Sequence, residues 1–275
     1  MRAAVVGHVE WVTFARVPEV PRSGDIVHAT EMWELPGGGG AGAAVQLAKL
    51  AGECLFITAL GDDDIGRRAA AELEGLGLTL AVAWRDGPSR RAFTHVDETG
   101  ERTITVLGER MSPRTDDDLP WSELAGVDAL YFTAGDTGAL KRARAADTVV
   151  ATTRAWDALS AGVQLDALVG SALDPDETYR RGDISPEPAL VVRTEGGAGG
   201  SVETAAGDTF RFEAPPVPGE IVDRYGAGDS FAGGLAFALG RGDDPAAAVD
   251  FASRCGAAAL TGRGPFEGQL AAGDV

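Results

Sequence analysis

Short apolar runs alternate with amphipathic or alanine-rich segments along most of this chain. Such alternation is typical of βαβ units, in which buried parallel strands form a sheet that helices cover on both faces. The sequence therefore predicts an α/β fold with a central, mainly parallel sheet. The predicted strands are residues 3–7, 54–60, 78–84, 129–133, 148–150, 167–169 and 189–192, and the predicted helices include residues 42–50 and 65–73.

Two segments depart from this alternation. Residues 12–34 are polar and interrupted by prolines, with a strand predicted at residues 26–30. Residues 91–106 predict a hairpin, with strands at 92–96 and 102–106 joined by a turn at 97–100. Because neither segment has a helical partner, we expect a small β-sheet that can act as a lid. The chain contains no internal repeat and no linker, so residues 1–275 are expected to form a single domain.

The charge of the chain limits its partners. The net charge is −18 and hydrophobic residues make up 44% of the sequence, enough for a large core. An acidic surface disfavours nucleic acid and anionic membranes, and an anionic substrate would require local positive groups. No apolar run has the length of a membrane span. The first ten residues predict a strand rather than a signal peptide, so we expect a cytoplasmic protein.

Cysteine and histidine offer no chemistry of their own. Cys54 and Cys255 lie in apolar surroundings and are expected to be reduced thiols in the core. His8, His28 and His95 do not have the spacing of metal ligands.

The most informative segment is residues 222–235, which leads into an alanine-rich helix of about fifteen residues. Gly226, Ala227 and Gly228 then fall at the helix N-terminus, where small residues let backbone N–H groups approach an anion closely. Asp229 lies in the first turn beside this anion site. Such a carboxylate can accept a proton from a hydroxyl while the N–H groups stabilise a transferring phosphoryl group. The alternative is a glycine-rich turn with an ordinary first-turn aspartate.

Several motifs together resemble the ribokinase, or PfkB, family of carbohydrate kinases. The run from Asp223 through Gly226 and Asp229 looks like the second signature of that family. Other motifs appear in the family's order: the first signature, the G-x-D-x-x-G motif, the lid hairpin, the T-x-G-x-x-G nucleotide loop and the closing segment, at residues 37–45, 61–66, 99–104, 194–199 and 259–264. Each motif alone is weak, but the ordered set covers nearly the whole chain.

The resemblance implies a ribokinase-like three-layer sandwich with a β-lid over the acceptor site and Mg²⁺-ATP as phosphoryl donor. It assigns Asp229 as the base and Gly226, Ala227 and Gly228 as the anion hole. The nucleotide would contact Thr194, Gly196, Gly199 and Ala259. On spacing alone, a plain glycine-rich loop remains an alternative for residues 194–199.

The resemblance also implies two cation sites. Many relatives hold a monovalent cation such as K⁺ near the residue aligned with Asp223, with Tyr225, Gly264 and the carbonyl of Ala259 as companions. The alternative is that Asp223 caps the turn. The motif N-x-x-E, which organises Mg²⁺ and phosphate through water, appears here as Ser-Ala-Leu-Asp, ending at Asp174. Glu177 is the alternative acid.

The chain departs from the family on the acceptor side. Val12 occupies the position of an acceptor-binding aspartate, and Glu10 and His8 are the candidates to substitute for it. Gly39 and Gly42 replace a lysine and an asparagine, so the pocket is expected to be larger and less polar.

Two further residues of the acceptor side follow from the resemblance. Gly38, like Gly39 and Gly42, is assigned to acceptor binding. Arg102 in the lid hairpin is a candidate contact for substrate or phosphate, with a solvated hairpin arginine as the equal alternative.

The motifs favour an ATP-dependent kinase that phosphorylates a hydroxyl of a sugar or sugar-like molecule. A nucleoside kinase and a catalytically weak ligand-binding sensor on the same fold are the alternatives, since fold alone does not fix function. A dinucleotide-dependent oxidoreductase is disfavoured, because no G-x-G-x-x-G turn follows the first strand. Exposed edges of the lid sheet favour a homodimer.

Overall fold

The computed structural model describes residues 1–274 and contains two sheets. The nine-stranded main sheet has the order β13-β12-β11-β10-β9-β8-β1-β4-β5. Its strands are β1 (Ala3–Val6), β4 (Cys54–Gly61), β5 (Leu78–Arg85), β8 (Ala129–Phe132), β9 (Thr148–Thr152), β10 (Ala167–Ser171), β11 (Leu190–Thr194), β12 (Gly200–Thr204) and β13 (Thr209–Phe212). In this order, the seven neighbouring strands β11, β10, β9, β8, β1, β4 and β5 run parallel to one another. Strands β12 and β13 are antiparallel additions at the β11 edge.

The predicted parallel sheet is confirmed, since each of its predicted strands overlaps an observed one. The two antiparallel strands β12 and β13 were not predicted. Only Gly200 and Val202 of these nine residues are fully buried, so the apolar pattern that identified the other strands is weak there.

Helices cover both faces of the main sheet, as predicted for three layers. They are α1 (Gly39–Ala51), α2 (Asp64–Gly75), α3 (Thr137–Ala143), α4 (Trp156–Leu159), α5 (Ala227–Gly240) and α6 (Pro245–Ala259). Buried residues of α1, α2, α5 and α6 belong to one apolar core, and those of α3 and α4 belong to a second core on the other face. No helix within residues 1–274 has both the length and the apolar character needed to cross a membrane.

The second sheet is the predicted lid, with the order β3-β2-β6-β7. Its strands are β2 (Glu10–Arg16), β3 (Glu31–Gly37), β6 (Arg91–Val96) and β7 (Arg102–Leu107). The predicted hairpin is therefore confirmed as β6 and β7.

The strand predicted at residues 26–30 is wrong. The partner of β2 is β3, which begins only at Glu31, opposite Arg16 at the far end of β2. Thr30 donates a backbone hydrogen bond to Arg16 at 2.9 Å, but residues 26–29 extend past that end and have no strand to pair with, and Ile26 is 88% exposed. The β-branched composition of this segment therefore reflects neither burial nor pairing.

The free cysteines lie where the sequence placed them. Cys54 and Cys255 are both buried in the main core. Loss of hydration raises the pKa of the Cys255 thiol to about 12 and raises that of Cys54 as well, so both remain protonated and unreactive.

Candidate active site

The site lies at the carboxyl ends of the parallel strands, beneath the lid. His8 follows β1, Thr133 follows β8 and Arg154 follows β9. Ligands of open parallel sheets bind at this edge because the loops that leave the strands leave a crevice there. The first turn of α5 enters the crevice and brings the predicted catalytic motif to it.

The N-terminus of α5 is built from small residues. Gly226 is the N-cap residue and has φ of +81°, a left-handed conformation that favours glycine. A Cβ atom at Gly226 would lie 2.8 Å from Cα of Pro265, so the close packing also excludes a side chain. A Cβ atom at Gly228 would meet nothing within 4 Å, which leaves open space beside the first N–H groups of the helix. This end of α5 is therefore accessible to an anion.

Asp229 occupies the first turn of α5 and is partly exposed to the crevice. Loss of hydration is the largest influence on the carboxyl and raises its pKa to about 6. The positive charges of Arg154 and Arg102 oppose this rise, whereas Glu10 and Glu177 add to it. A carboxylate with this pKa is ionised at neutral pH and still basic enough to accept a proton.

Glycines at the start of α1 make room for Asp229. A Cβ atom at Gly42 would lie 2.8 Å from Cβ of Asp229, and one at Gly39 would lie 3.1 Å from its Oδ1. The second position is also 3.2 Å from Oγ1 of Thr133. At Gly42 the missing side chain is therefore replaced by Asp229 itself and does not enlarge the pocket.

Glu10 belongs to a hydrogen-bond network under the lid. Its carboxylate accepts from Tyr225 Oη at 3.2 Å and from Arg90 Nε at 3.1 Å. Tyr225 Oη in turn accepts from the backbone N–H of Gly38 at 3.1 Å. Glu10, predicted as an acceptor-binding residue, thus already has protein partners and links the lid to the loop before α5.

Val12 is fully buried in the small apolar core of the lid. Its neighbours there include Phe14, which stacks on Trp33 at 5.0 Å and meets Tyr225 edge-on at 5.1 Å. The position at which relatives were expected to carry a polar acceptor contact is therefore part of an aromatic and aliphatic cluster.

Asp223 holds the loop before α5 in place. Its side chain is buried and accepts from the backbone N–H groups of Tyr225 at 2.8 Å and Gly264 at 3.0 Å. Loss of hydration raises the pKa of this carboxyl, and those two hydrogen bonds counteract the rise. The contact to Tyr225 two residues ahead is the turn-capping geometry that the sequence left open.

Asp174 and Glu177 meet at one guanidinium. Arg154 contacts Asp174 at 2.7 Å through Nη2 and Glu177 at 2.5 Å through Nε. Glu177 also accepts from the backbone N–H of Ser171 at 2.8 Å, and its side chain is 8% exposed. Of the two acids, Glu177 is the one whose charge affects the pKa of Asp229.

The predicted nucleotide loop follows β11. Thr194 ends this strand, Gly196 begins a short 3-10 turn, and Gly199 follows the turn. A Cβ atom at Gly199 would lie 2.1 Å from the carbonyl oxygen of Phe212, so packing against β13 alone requires glycine there. Ala259 is the last residue of α6, near the loop that carries Asp223.

Arg102 lies on the exposed strand β7 and pairs with Glu101 at 3.2 Å. Its charge lowers the pKa of both Asp229 and Asp223 against the effect of their burial. The lid arginine therefore lies within electrostatic reach of the catalytic motif.

The sequence missed a group of arginines beside the crevice. Arg90, Arg110 and Arg154 line a cavity of about 420 Å³. They come from the segment before β6, the segment after β7 and the end of β9, so no local motif connects them. Only the order of strands in the two sheets brings them together.

Known proteins resemble this chain along nearly its whole length. The family model described as pfkB family carbohydrate kinase matches residues 2–178 and 164–270. The aminoimidazole riboside kinase of Salmonella typhimurium is 31% identical over 283 residues, which cover 86% of this chain and 86% of that protein. The ATP-dependent ribose-1-phosphate kinase of Halopiger xanaduensis is 27% identical, over 94% of this chain and 91% of that protein.

A solved structure supports the fold. Arabidopsis thaliana ribokinase complexed with ribose and ATP superposes with a TM-score of 0.77, covering 99% of this chain and 96% of that chain at 19% identity. Gly39 and Gly42 of the first predicted motif pack against Asp229 of the second, and the family model accounts for residues 2–270 in two overlapping segments. This chain therefore belongs to the PfkB family of carbohydrate kinases, which are phosphotransferases.

Proposed function

We propose that this chain transfers the γ-phosphoryl group of ATP to a hydroxyl of a sugar or sugar-like molecule, with Asp229 as the base. The observation that carries the proposal is the position of Asp229. A carboxyl with a pKa of about 6 lies in the first turn of α5, directly after Gly226, Ala227 and Gly228, whose end of the helix is open to an anion.

The proposed reaction involves the acceptor hydroxyl, the γ-phosphoryl group of ATP and the Asp229 carboxylate. The hydroxyl proton moves to Asp229 as the hydroxyl oxygen forms a bond to the γ-phosphorus, and the bond from that phosphorus to the β–γ bridging oxygen breaks. ADP leaves with the bridging oxygen. Negative charge spread over the transferring phosphoryl group faces the N–H groups and positive dipole end of α5. In-line transfer requires the acceptor and the nucleotide to lie on opposite sides of the transferring phosphoryl group.

The loop after β11 is the proposed nucleotide side. Thr194, Gly196 and Gly199 follow a buried parallel strand at the same sheet edge as α5. Backbone N–H groups of such glycine-rich turns suit phosphate oxygens. Ala259, at the end of α6, is proposed to border the adenosine.

Mg²⁺ is proposed to arrive with the nucleotide phosphates. Within residues 1–274, no three histidine, cysteine or acidic side chains converge as a metal-binding group. Mg²⁺ is commonly held by one or two carboxylates together with substrate phosphates and water. Glu177 and Asp174 are the acids proposed to hold the ion. Glu177 is favoured because a hydrogen bond from the backbone N–H of Ser171 fixes its carboxylate. Mg²⁺ would neutralise charge on the β- and γ-phosphates.

A monovalent cation is proposed near Asp223. This buried carboxylate has no cation within salt-bridge distance among the described residues, and its pKa is raised by loss of hydration. Carbonyl groups of Tyr225, Ala259 and Gly264 are proposed as companion ligands. A bound K⁺ would stabilise the charge on Asp223 and the loop that presents Gly226.

Two alternatives remain for the function. A nucleoside acceptor is the second candidate, because a relative at 31% identity is named as a riboside kinase. A ligand-binding sensor is the third, because Val12 and Gly42 carry no polar group toward an acceptor. The proposed location of the enzyme is the cytoplasm.

Replacement of Asp229 by asparagine tests the base. We expect Asp229→Asn to lower kcat by at least about 100-fold, since general base catalysis contributes about that much or more, while ATP binding by calorimetry is retained. Turnover is measured as ADP release across sugars, polyols and nucleosides. The control is Asp64→Asn, which changes another first-turn aspartate, exposed on α2, and is expected to keep full activity. Wild-type turnover in Asp229→Asn would remove this residue from the base role.

The pH dependence of the reaction follows from the raised pKa of Asp229. The base must be ionised, so kcat/KM should reach a plateau above about pH 7 and fall about tenfold per unit below about pH 6. The measurement uses saturating MgATP and an acceptor that does not titrate in this range. A profile that stays flat down to about pH 5 would mean that the carboxyl has its ordinary pKa and that the crevice does not desolvate it.

The monovalent cation is tested by ion replacement. Turnover is expected to be higher in KCl than in choline chloride at equal ionic strength, because K⁺ would order the loop between Asp223 and Gly226. Equal rates in the two salts at saturating MgATP and acceptor would argue that Asp223 serves only as the cap of this turn.

A homodimer through the lid is proposed from its free edge. All six residues of β7 are exposed, including Ile104, Val106 and Leu107. An unpaired edge strand with apolar side chains is suited to pairing with a second copy. Light scattering is expected to give twice the chain mass, and Val106→Lys is expected to give the monomer. A wild-type monomer at micromolar concentration would contradict the proposal.

A further inference from the structure

The arginine-lined cavity next to the crevice has no role in the account so far. Its volume is about 420 Å³, and its polar lining consists of Arg90, Arg110, Ser112, Arg154 and Asp157 together with backbone groups. Three of these side chains are cationic and one is acidic. A cavity of this size is in the usual range for a small-molecule ligand.

Two of the arginines form ion pairs with acids that do not line the cavity. Arg90 uses Nε to contact Glu10 at 3.1 Å, and its side chain is only 13% exposed. Arg154 uses Nε and Nη2 for Glu177 and Asp174. These contacts fix the guanidinium planes but leave other N–H groups of both arginines available. Preorganised guanidinium groups are suited to bidentate recognition of phosphate or carboxylate.

Arg110 is an exposed residue and the one arginine of the group without a direct ion pair among the described residues. Within residues 1–274 it has no carboxylate at salt-bridge distance, and its one hydrogen bond is a long contact of 3.4 Å from Nη1 to the carbonyl oxygen of Arg154. Loss of hydration, followed by repulsion from Arg90 and Arg154, lowers the pKa of Arg110. The charges of Glu10 and Asp157 oppose this decrease. Because Arg90 and Arg154 already have carboxylate partners, Arg110 is the guanidinium of this cavity that is free to form an ion pair with a bound anion.

A buried histidine lies within electrostatic reach of the three arginines but outside the cavity lining. His8 is 7% exposed, and its Nδ1 has no hydrogen-bond partner within the described chain. Burial and the charges of Arg110, Arg90 and Arg154 lower its pKa, so the ring stays neutral and can donate or accept one hydrogen bond. A Cβ atom at Gly38 would lie 3.2 Å from His8 Nε2, so the ring lies against the glycine-rich start of α1, which also packs against Asp229.

The cavity lies near the Asp229 carboxylate, and the proposed nucleotide loop follows a different strand. Among positive charges, Arg154 has the largest effect on the pKa of Asp229. Ala134 and Gly135 line the cavity, and they follow Thr133, which approaches the same position at Gly39 as Asp229 does. The cavity therefore borders the ends of β8 and β9, whereas the nucleotide loop follows β11, two strands from β9 in the sheet.

We propose that the acceptor carries an oxyanion group, a phosphate monoester or a carboxylate, which Arg90, Arg110 and Arg154 bind while a hydroxyl of the same molecule faces Asp229. The inference rests on the proposed kinase function and specifies its substrate class. The arginines would also offset the repulsion between an anionic acceptor and the acidic chain. A protein with net charge −18 repels anions in general, so an anionic acceptor requires a concentrated positive site of this kind.

The test compares neutral sugars with related acceptors that carry a phosphate or carboxylate group. ADP release is measured with ribose, glucose, their terminal phosphate monoesters and gluconate, in wild type, Arg110→Gln and Arg110→Lys. Arg254→Gln, which removes an exposed arginine on α6 outside the cavity, is the control. We expect an anionic acceptor to have the highest kcat/KM. Arg110→Gln should lower it about 10- to 100-fold, mainly through KM, and Arg110→Lys should restore part of it.

Each outcome has one meaning. A preference for phosphate monoesters or for gluconate supports the inference and identifies which oxyanion the site takes. Efficient turnover of the neutral sugars, unchanged in Arg110→Gln, overturns the inference and leaves the kinase intact. If no acceptor releases ADP, the proposed function fails, and calorimetry with the same phosphate monoesters and gluconate still decides the site. Binding that Arg110→Gln weakens supports an oxyanion site, and no binding overturns it.

Discussion

The packing of α5 against the start of α1 is the contact on which the rest of the site depends. Asp229 fills the space above Gly39 and Gly42, and Gly233 on the next turn of α5 leaves only 3.0 Å between a Cβ atom and the carbonyl oxygen of Ala43. Gln269 Nε2 donates to the carbonyl oxygen of Gly42 at 2.7 Å and to Oγ of Ser230 at 3.1 Å, which ties both helices to the last segment. This close approach desolvates the carboxylate and aims the helix N-terminus at the crevice.

Much of this arrangement was readable in the sequence because it is local. The glycines before α5, the aspartate in its first turn and the apolar strands each leave a signal within a few residues, so the sheet, the lid hairpin and the motif around Asp229 could be predicted. Strand β3 was misplaced because pairing with β2, rather than the β-branched composition of residues 26–30, determines where it begins.

What the sequence could not provide are contacts between distant segments. Arg90, Arg110 and Arg154 converge only because β6, β7 and β9 are neighbours of the crevice in two different sheets. The role of Gly42 was misjudged for the same reason. A glycine in place of a polar residue suggests a larger pocket until the carboxylate of Asp229, nearly two hundred residues away, is found in that space.

The lid and the arginine cavity give one account of specificity. The lid buries an aromatic and aliphatic cluster around Val12 and Phe14, in which Val12 offers no hydrogen bond to a sugar hydroxyl. The proposed polar recognition lies instead at the arginine-lined cavity that includes Arg154. Arg154 also contacts Glu177, the proposed Mg²⁺ ligand, and its charge lowers the pKa of Asp229, the proposed base. One guanidinium therefore connects these two groups with the proposed acceptor site. Binding of the proposed acceptor anion would thereby be coupled electrostatically to Asp229, the proposed base.

The most direct test of the account is phosphorus NMR of a single reaction mixture that contains enzyme, MgATP and the acceptor with the highest kcat/KM. The account predicts a new phosphate ester resonance that grows in step with the loss of the γ-phosphate signal, and none with Asp229→Asn under the same conditions. Conversion of ATP to ADP and inorganic phosphate without an ester, or equal ester formation by Asp229→Asn, would contradict it.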